Sequence, residues 1–128
     1  GAWCNNKRLR VSKRHQMIDC LIGTGIPYAD NAHENYLDEI DIISKNSCGL
    51  RRIGTASLDL AFVASGKLDG FWERDLNIWD VCSGVILVKE AGGKITLPNG
   101  DAWGTESRDI LATNTNIHEE MQNKLTLL

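Results

Sequence analysis

No C-x-x-C pair occurs in this chain, and no histidine stands at zinc-ligand spacing from any of its four cysteines. Cys4, Cys20, Cys48 and Cys82 fall singly on segments that read as strand, loop and helix, so they are expected to be reduced and mostly packed rather than metal-bound. His15, His33 and His118 are isolated on segments that read as surface, which leaves a catalytic triad or zinc centre without support. No apolar run reaches the roughly 18 residues of a membrane span, and the start lacks the charged and apolar regions of a signal peptide. A soluble, cytoplasmic protein without a membrane partner is the expectation. Basic residues cluster at Lys7-Arg8, Arg10 and Lys13-Arg14, against a net charge of −3. No extended face is built to neutralise nucleic-acid phosphates, so nucleic acid is not an expected partner. Repeats and low-complexity stretches are missing as well. So is an initiator methionine: Gly1-Ala2-Trp3 reads either as an artificial end or as the middle of a longer chain.

What remains is an ordinary globular composition: 128 residues, 42% of them hydrophobic, enough for one domain with a real core. Leu9-Arg10-Val11-Ser12 alternates like a short strand. Asp19 to Gly23 is an apolar run that ends at the turn residues Gly25 and Pro27. From Asn31 to about Lys45 the apolar residues Ala32, Tyr36, Leu37, Ile40 and Ile43 recur at helical spacing, with Glu34, Asp38, Glu39 and Asp41 on the other face. That pattern predicts an amphipathic surface helix.

Leu50 to Gly54 reads as a strand feeding a second helix, Ala56 to about Ser65, which is apolar nearly all round and therefore expected to be buried. Gly66 ends it. Leu68 to Glu73 alternates as a strand, and Trp79-Asp80 opens a helix that stops at Gly92-Gly93. Lys94 to Leu97 and Asp109 to Ala112 are two further strands. A final amphipathic helix carries Ile117, Met121 and Leu125 after the capping candidates Thr115 and Asn116. Strands alternating with long helices imply crossover connections, hence an α/β fold with a mixed, mostly parallel sheet flanked by helices on both faces. Ligands of such sheets sit outside strand C-termini, which directs attention to Gly23–Tyr28, Gly54-Thr55-Ala56 and Glu73–Asp80.

Three of these segments carry chemistry. Asp80 places a carboxylate in the first turn of a helix, where it is either a cap for orphan backbone N–H groups or a rigid oxygen ligand for magnesium. Gly54-Thr55-Ala56 is a strand-to-helix turn without bulk, either an ordinary connection or a row of N–H donors for a hydroxyl or anion. Glu73 is either a solvated charge at a strand end or, beside Phe71 and Trp72, a polyol-recognising carboxylate. Gly23-Thr24-Gly25 superficially resembles a dinucleotide-binding turn, but Pro27 interrupts it and Tyr28 occupies the third glycine position.

In order and spacing, several segments resemble the second half of inositol monophosphatase family proteins: Gly1-Ala2-Trp3-Cys4-Asn5 with Leu9-Arg10-Val11-Ser12, Thr24-Gly25-Ile26-Pro27, Arg51 through Ala61, Val63 through Glu73, and Trp79-Asp80-Val81-Cys82-Ser83-Gly84 with Lys89-Glu90-Ala91-Gly92-Gly93. The resemblance implies the C-terminal half, residues 1–128, of a layered αβαβα sugar-phosphatase fold whose N-terminal domain is absent. It further implies that Asp80 binds Mg2+, that Glu73 bonds a substrate hydroxyl, and that Gly54, Thr55 and Ala56 line a polyol phosphate. A homodimer is implied too. The family's first-half D-P-x-D-G-[ST] segment, which supplies most metal ligands, does not occur in these residues. No catalytic residue is therefore assigned here, and this chain by itself is expected to have little or no phosphatase activity. The alternative is a non-catalytic interaction module that keeps the fold and uses Lys7–Arg14 to bind partners.

Overall fold

In a computed structural model, which describes residues 1–25 and 35–127, five strands form one sheet in the order β4-β3-β5-β7-β6. These are β3 (Leu21–Thr24), β4 (Gly49–Arg51), β5 (Gly70–Glu73), β6 (Lys94–Thr96) and β7 (Ile110–Thr113). β3 runs parallel to both β4 and β5, while β7 is antiparallel to β5 and β6. The sheet is mixed as expected. Its parallel half owes its direction to two crossover helices, α1 (Tyr36–Lys45) and α2 (Ala56–Ala64). The helices α3 (Ile78–Glu90) and α4 (His118–Thr126) complete the layers.

Pleating sends alternate side chains of each strand to opposite faces, and here the alternation builds two cores. Phe71, Ile110 and Ala112 pack with Leu60 and Val63 of α2 and Val85 and Val88 of α3. Trp72 and Leu111 turn the other way, to Ile43 of α1 and Met121 and Leu125 of α4. Burial of side chains of this size stabilises by about 1.5–3 kcal/mol each. α2 and α3 approach closely because residue 84 is glycine: a Cβ there would stand 2.5 Å from Leu60 Cβ.

Several expectations are corrected. Among the described residues, Leu9–Ser12 pairs with no strand. It is an extended connection tied down by Leu9 N–H to Ala2 O (2.8 Å) and Val11 N–H to Ala91 O (3.1 Å). The sheet-like pairing near this end is instead a hairpin of β1 (Trp3–Cys4) and β2 (Lys7–Arg8). Asn5 and Asn6 turn it at positive φ, 50° and 67°, a backbone that asparagine tolerates. In α1, Glu39 is buried (1% exposed), whereas Leu37 is 79% exposed, reversing the faces assigned to them. The N-terminal part of that predicted helix, 31–34, lies outside the described residues.

Cys20 alone of the four cysteines is buried, and Cys4, Cys48 and Cys82 are exposed, so the packed-thiol expectation fails for three of them. His118, read as surface, is 1% exposed and sits between Thr96 Oγ1 (2.7 Å) and Thr113 Oγ1 (2.8 Å). Ahead of α4, Thr115 bonds Gly92 O and Asn116 faces Lys13 O and Arg14 O. The helix start is held by Asn114, whose Oδ1 accepts the Ile117 N–H at 3.2 Å.

Candidate active site

Strand order reverses direction of travel between β3 and β5, and a cleft of about 520 Å³ opens beyond their C-terminal ends. β5 delivers Glu73 as its last residue. A four-residue link, Arg74 to Asn77, then leads to α3, whose first turn carries Asp80. From the other side come Arg52 and the turn Gly54-Thr55-Ala56 at the start of α2, and β3 contributes Gly25. All five residues singled out in the sequence, Gly54, Thr55, Ala56, Glu73 and Asp80, thus line one cavity.

Local chemistry explains each position. Gly54 has φ +96°, a conformation that favours glycine, and nothing lies within 4 Å of where its Cβ would be. The chain can therefore turn sharply from β4 into α2 while leaving the cleft wall open. Thr55 is the N-cap residue of α2, in extended backbone; its C=O accepts the Leu58 and Asp59 N–H groups, which leaves those of Ala56 and Ser57 without an intrahelical acceptor. The capping question for Asp80 also has an answer. Asn77 is the N-cap residue, and Asp80, three positions on, returns its Oδ2 to the Asn77 N–H at 2.9 Å. One oxygen of Asp80 is thus held while Oδ1 accepts no hydrogen bond among the described residues.

Glu73, Asp75 and Asp80 line the cleft, and Asp59 is buried close enough to Glu73 to feel its charge. Burial pushes Glu73 up to about 7, with the nearby Asp80 charge adding to the rise and Arg52 opposing it. Asp59, 1% exposed on α2, is likewise raised to about 7 by burial and then by Glu73. Its Oδ1 has no hydrogen-bond partner among the described residues and lies 2.8 Å from the position of a Gly23 Cβ. Burial, followed by the Glu73 charge, raises the Tyr36 hydroxyl.

A single divalent cation would relieve this concentration of negative charge. Yet no group of three His, Cys, Asp or Glu side chains among the described residues is placed to hold a metal. The donor set fits part of a magnesium shell, the one or two carboxylates that magnesium commonly takes from protein, and not a complete site.

Phe71 and Trp72 are both fully buried, so the aromatic surface expected beside Glu73 is not theirs. Trp79, 74% exposed at the cleft rim, takes that place. Sequence reasoning also passed over Asp59, Arg52 and Arg74. An aspartate inside an apolar helix was a signal for the first, because a buried carboxylate without a partner is rare.

The family model described as the inositol monophosphatase family matches residues 1–126. The chain belongs to the inositol monophosphatase family. An inositol-1-monophosphatase of Caulobacter vibrioides is 43% identical over 121 residues, covering 93% of this chain and 47% of that relative. A Nus factor SuhB of Pseudomonas aeruginosa is 44% identical over 118 residues, 90% of this chain and 44% of its own length. Among solved structures, an inositol monophosphatase from Anabaena superposes with a TM-score of 0.89 at 37% identity, covering 97% of this chain and 50% of the other. The extragenic suppressor protein SuhB of Bartonella henselae gives the same TM-score at 42% identity, with 94% and 47% covered. The chain spans about half the length of the inositol monophosphatase family relatives it matches.

Proposed function

We propose that the protein is a magnesium-dependent phosphatase that hydrolyses the phosphate monoester of inositol or a related polyol, with this chain as its C-terminal domain. The observation that carries the reading is the convergence of Asp80, Glu73 and the Gly54-Thr55-Ala56 turn on one cleft. Asp80 would hold the cation through its open oxygen, and a bound divalent cation supplies Lewis-acid polarisation of the phosphate and neutralises charge on the departing alkoxide. Glu73 accepts a hydrogen bond from a ring hydroxyl. The N–H groups opening α2 donate to the polyol, and Trp79 covers an apolar face at the rim. Each of these acts by orienting the ester, which lowers the entropic part of the barrier.

The described residues offer Asp80 as the one ligating carboxylate of this reading, too few to hold a catalytic cation against its hydration shell. The rest of the shell belongs to a domain supplied by the full-length protein. The exposed apolar side chains Trp3, Leu37 and Ile86 support association with further protein surface, and a homodimer is the proposed form. Release of inorganic phosphate from inositol monophosphate by the full-length protein, measured with and without magnesium, tests the reading. Magnesium-dependent turnover supports it, and the absence of turnover at any magnesium concentration removes it.

Relatives named Nus factor SuhB favour a second reading, an interaction module that docks a partner through Lys7 to Arg14. The two separate in an Asp80→Asn protein, which loses phosphatase activity on the first reading and keeps partner binding on the second.

A further inference from the structure

The cleft contains both ends of the Arg74–Asn77 link, and outside the cleft stands a buried charge that the proposed chemistry does not use. Glu39, on α1, is 1% exposed. Its carboxylate receives Arg74 Nε at 3.1 and 3.0 Å and Nη2 at 2.6 Å, and Trp72 Nε1 at 3.4 Å. Arg74 is half-buried. Burial works against its charge, but Glu39 and then Asp109 more than offset this and hold it protonated.

From Arg74 the contacts continue along the link. Arg74 Nη1 donates to Asp109 Oδ2 (3.1 Å), and the other Asp109 oxygen accepts the Asp75 N–H (3.0 Å). Leu76 N–H donates to Arg108 O (2.6 Å), and the Arg108 guanidinium pairs with Asp75 (3.0 Å). Asn77 N–H donates to Asp80 itself. Asp75 adopts φ +62°, a backbone that an L residue rarely takes without such restraint. The link that separates Glu73 from Asp80 is therefore held at every N–H from 75 to 77, and the buried end of the chain of contacts is Glu39.

We propose that Glu39 is a positioning residue: through the forked Arg74 guanidinium and Asp109 it fixes the 74–77 link, and so sets where Asp80 presents its open oxygen relative to Glu73. The proposal rests on the reading of Asp80 as a cation ligand. A buried carboxylate is costly to desolvate, and an apolar residue would anchor α1 as well. The planar fork is what an apolar anchor lacks, because it locks the strand end in one orientation. Groups that orient a metal ligand from behind commonly change metal affinity or activity by about 10- to 100-fold when removed.

The test uses the full-length protein and two readouts that do not depend on turnover: hydrogen exchange of peptides spanning 74–80, and magnesium binding by calorimetry without substrate. Glu39→Gln is expected to speed exchange across 74–80 while β3 and β7 keep their protection, and to weaken magnesium binding by about tenfold. Arg74→Lys keeps the charge and loses the fork. It serves as the milder variant should Glu39→Gln fail to fold, with the same expected direction. Wild-type protection of 74–80 in a folded variant overturns the proposal, as does magnesium affinity within about twofold of wild type. A wild-type protein that binds magnesium without hydrolysing the ester overturns the phosphatase reading alone. One that binds no magnesium removes the cation reading too, and the hydrogen exchange then decides whether Glu39 holds the link.

Discussion

Gly25 and Glu73 meet so closely that a Cβ on the glycine would overlap the glutamate carboxylate. The end of β3 is thereby shaped to let Glu73 lie across the cleft floor, beside Asp80 rather than out in solvent. Gly25→Ala is expected to displace the carboxylate, raising the KM for a polyol phosphate in the full-length protein by about tenfold, equivalent to about 1.4 kcal/mol of lost binding, with little change in thermal midpoint. Steady-state kinetics check this, and an unchanged KM separates Glu73 from substrate recognition.

The crossing of α2 and α3 depends on another glycine. A Cβ at residue 84 would stand 2.5 Å from both Leu60 Cβ and Cδ1, atoms at the centre of the larger core. Gly84→Val is expected to destabilise by about 1–3 kcal/mol through overpacking, read as a lower urea midpoint. Leu60→Ala, which leaves a cavity instead, is expected to cost about 2–5 kcal/mol. The combination should recover part of the loss, because the two side chains compete for one space.

His118 gives stability a pH dependence of known sign. Burial, then Lys94, lowers its pKa from 6.5 to about 4. The unfolded chain therefore takes up a proton that the folded one refuses, so the contribution of neutral His118 is fully present above about 6.5 and is lost as pH falls toward 4. Asp59 and Glu73, raised to about 7, act oppositely in the overlapping range, since the folded state holds their protons more tightly. The difference between wild type and His118→Asn isolates the histidine. Its urea midpoint difference is expected to narrow steadily between pH 6.5 and pH 4. A constant difference would mean that His118 is not held neutral.

Much of this architecture was legible in the sequence because its signals are periodic. The apolar run of α2, buried in the structure over most of its length although Leu58 is 40% exposed, and the Gly92-Gly93 stop after α3 were both legible. The faces of α1 were not legible. Glu39 looks like any surface glutamate until Arg74, 35 residues away in the chain, is brought against it. The same holds for His118, whose two threonine partners arrive from β6 and β7. At the cleft, spacing singled out Asp80 as either cap or ligand, and only the fold showed that one oxygen can serve the Asn77 N–H and leave the other open. Phe71 and Trp72 misled because alternation places two aromatic residues on opposite faces, and here both faces are covered.

On the proposed reading, the described part of residues 1–128 supplies one cation-ligating carboxylate, Asp80. The isolated chain is expected to release phosphate from inositol monophosphate at a rate indistinguishable from buffer, at any magnesium concentration. Turnover comparable to the full-length protein would mean that the described cleft suffices, contrary to the donor set found here.

The most direct measurement is a magnesium titration of phosphate release by full-length wild type and Asp80→Asn, with circular dichroism on both. An asparagine oxygen still accepts the Asn77 N–H, so the helix start survives and the substitution removes charge alone. Wild-type activity is expected to rise with magnesium and saturate, and the variant to lose about a hundredfold or more in kcat/KM at the same magnesium concentration, with an unaltered spectrum. Superimposable titration curves for two folded proteins would contradict Asp80 as a cation ligand.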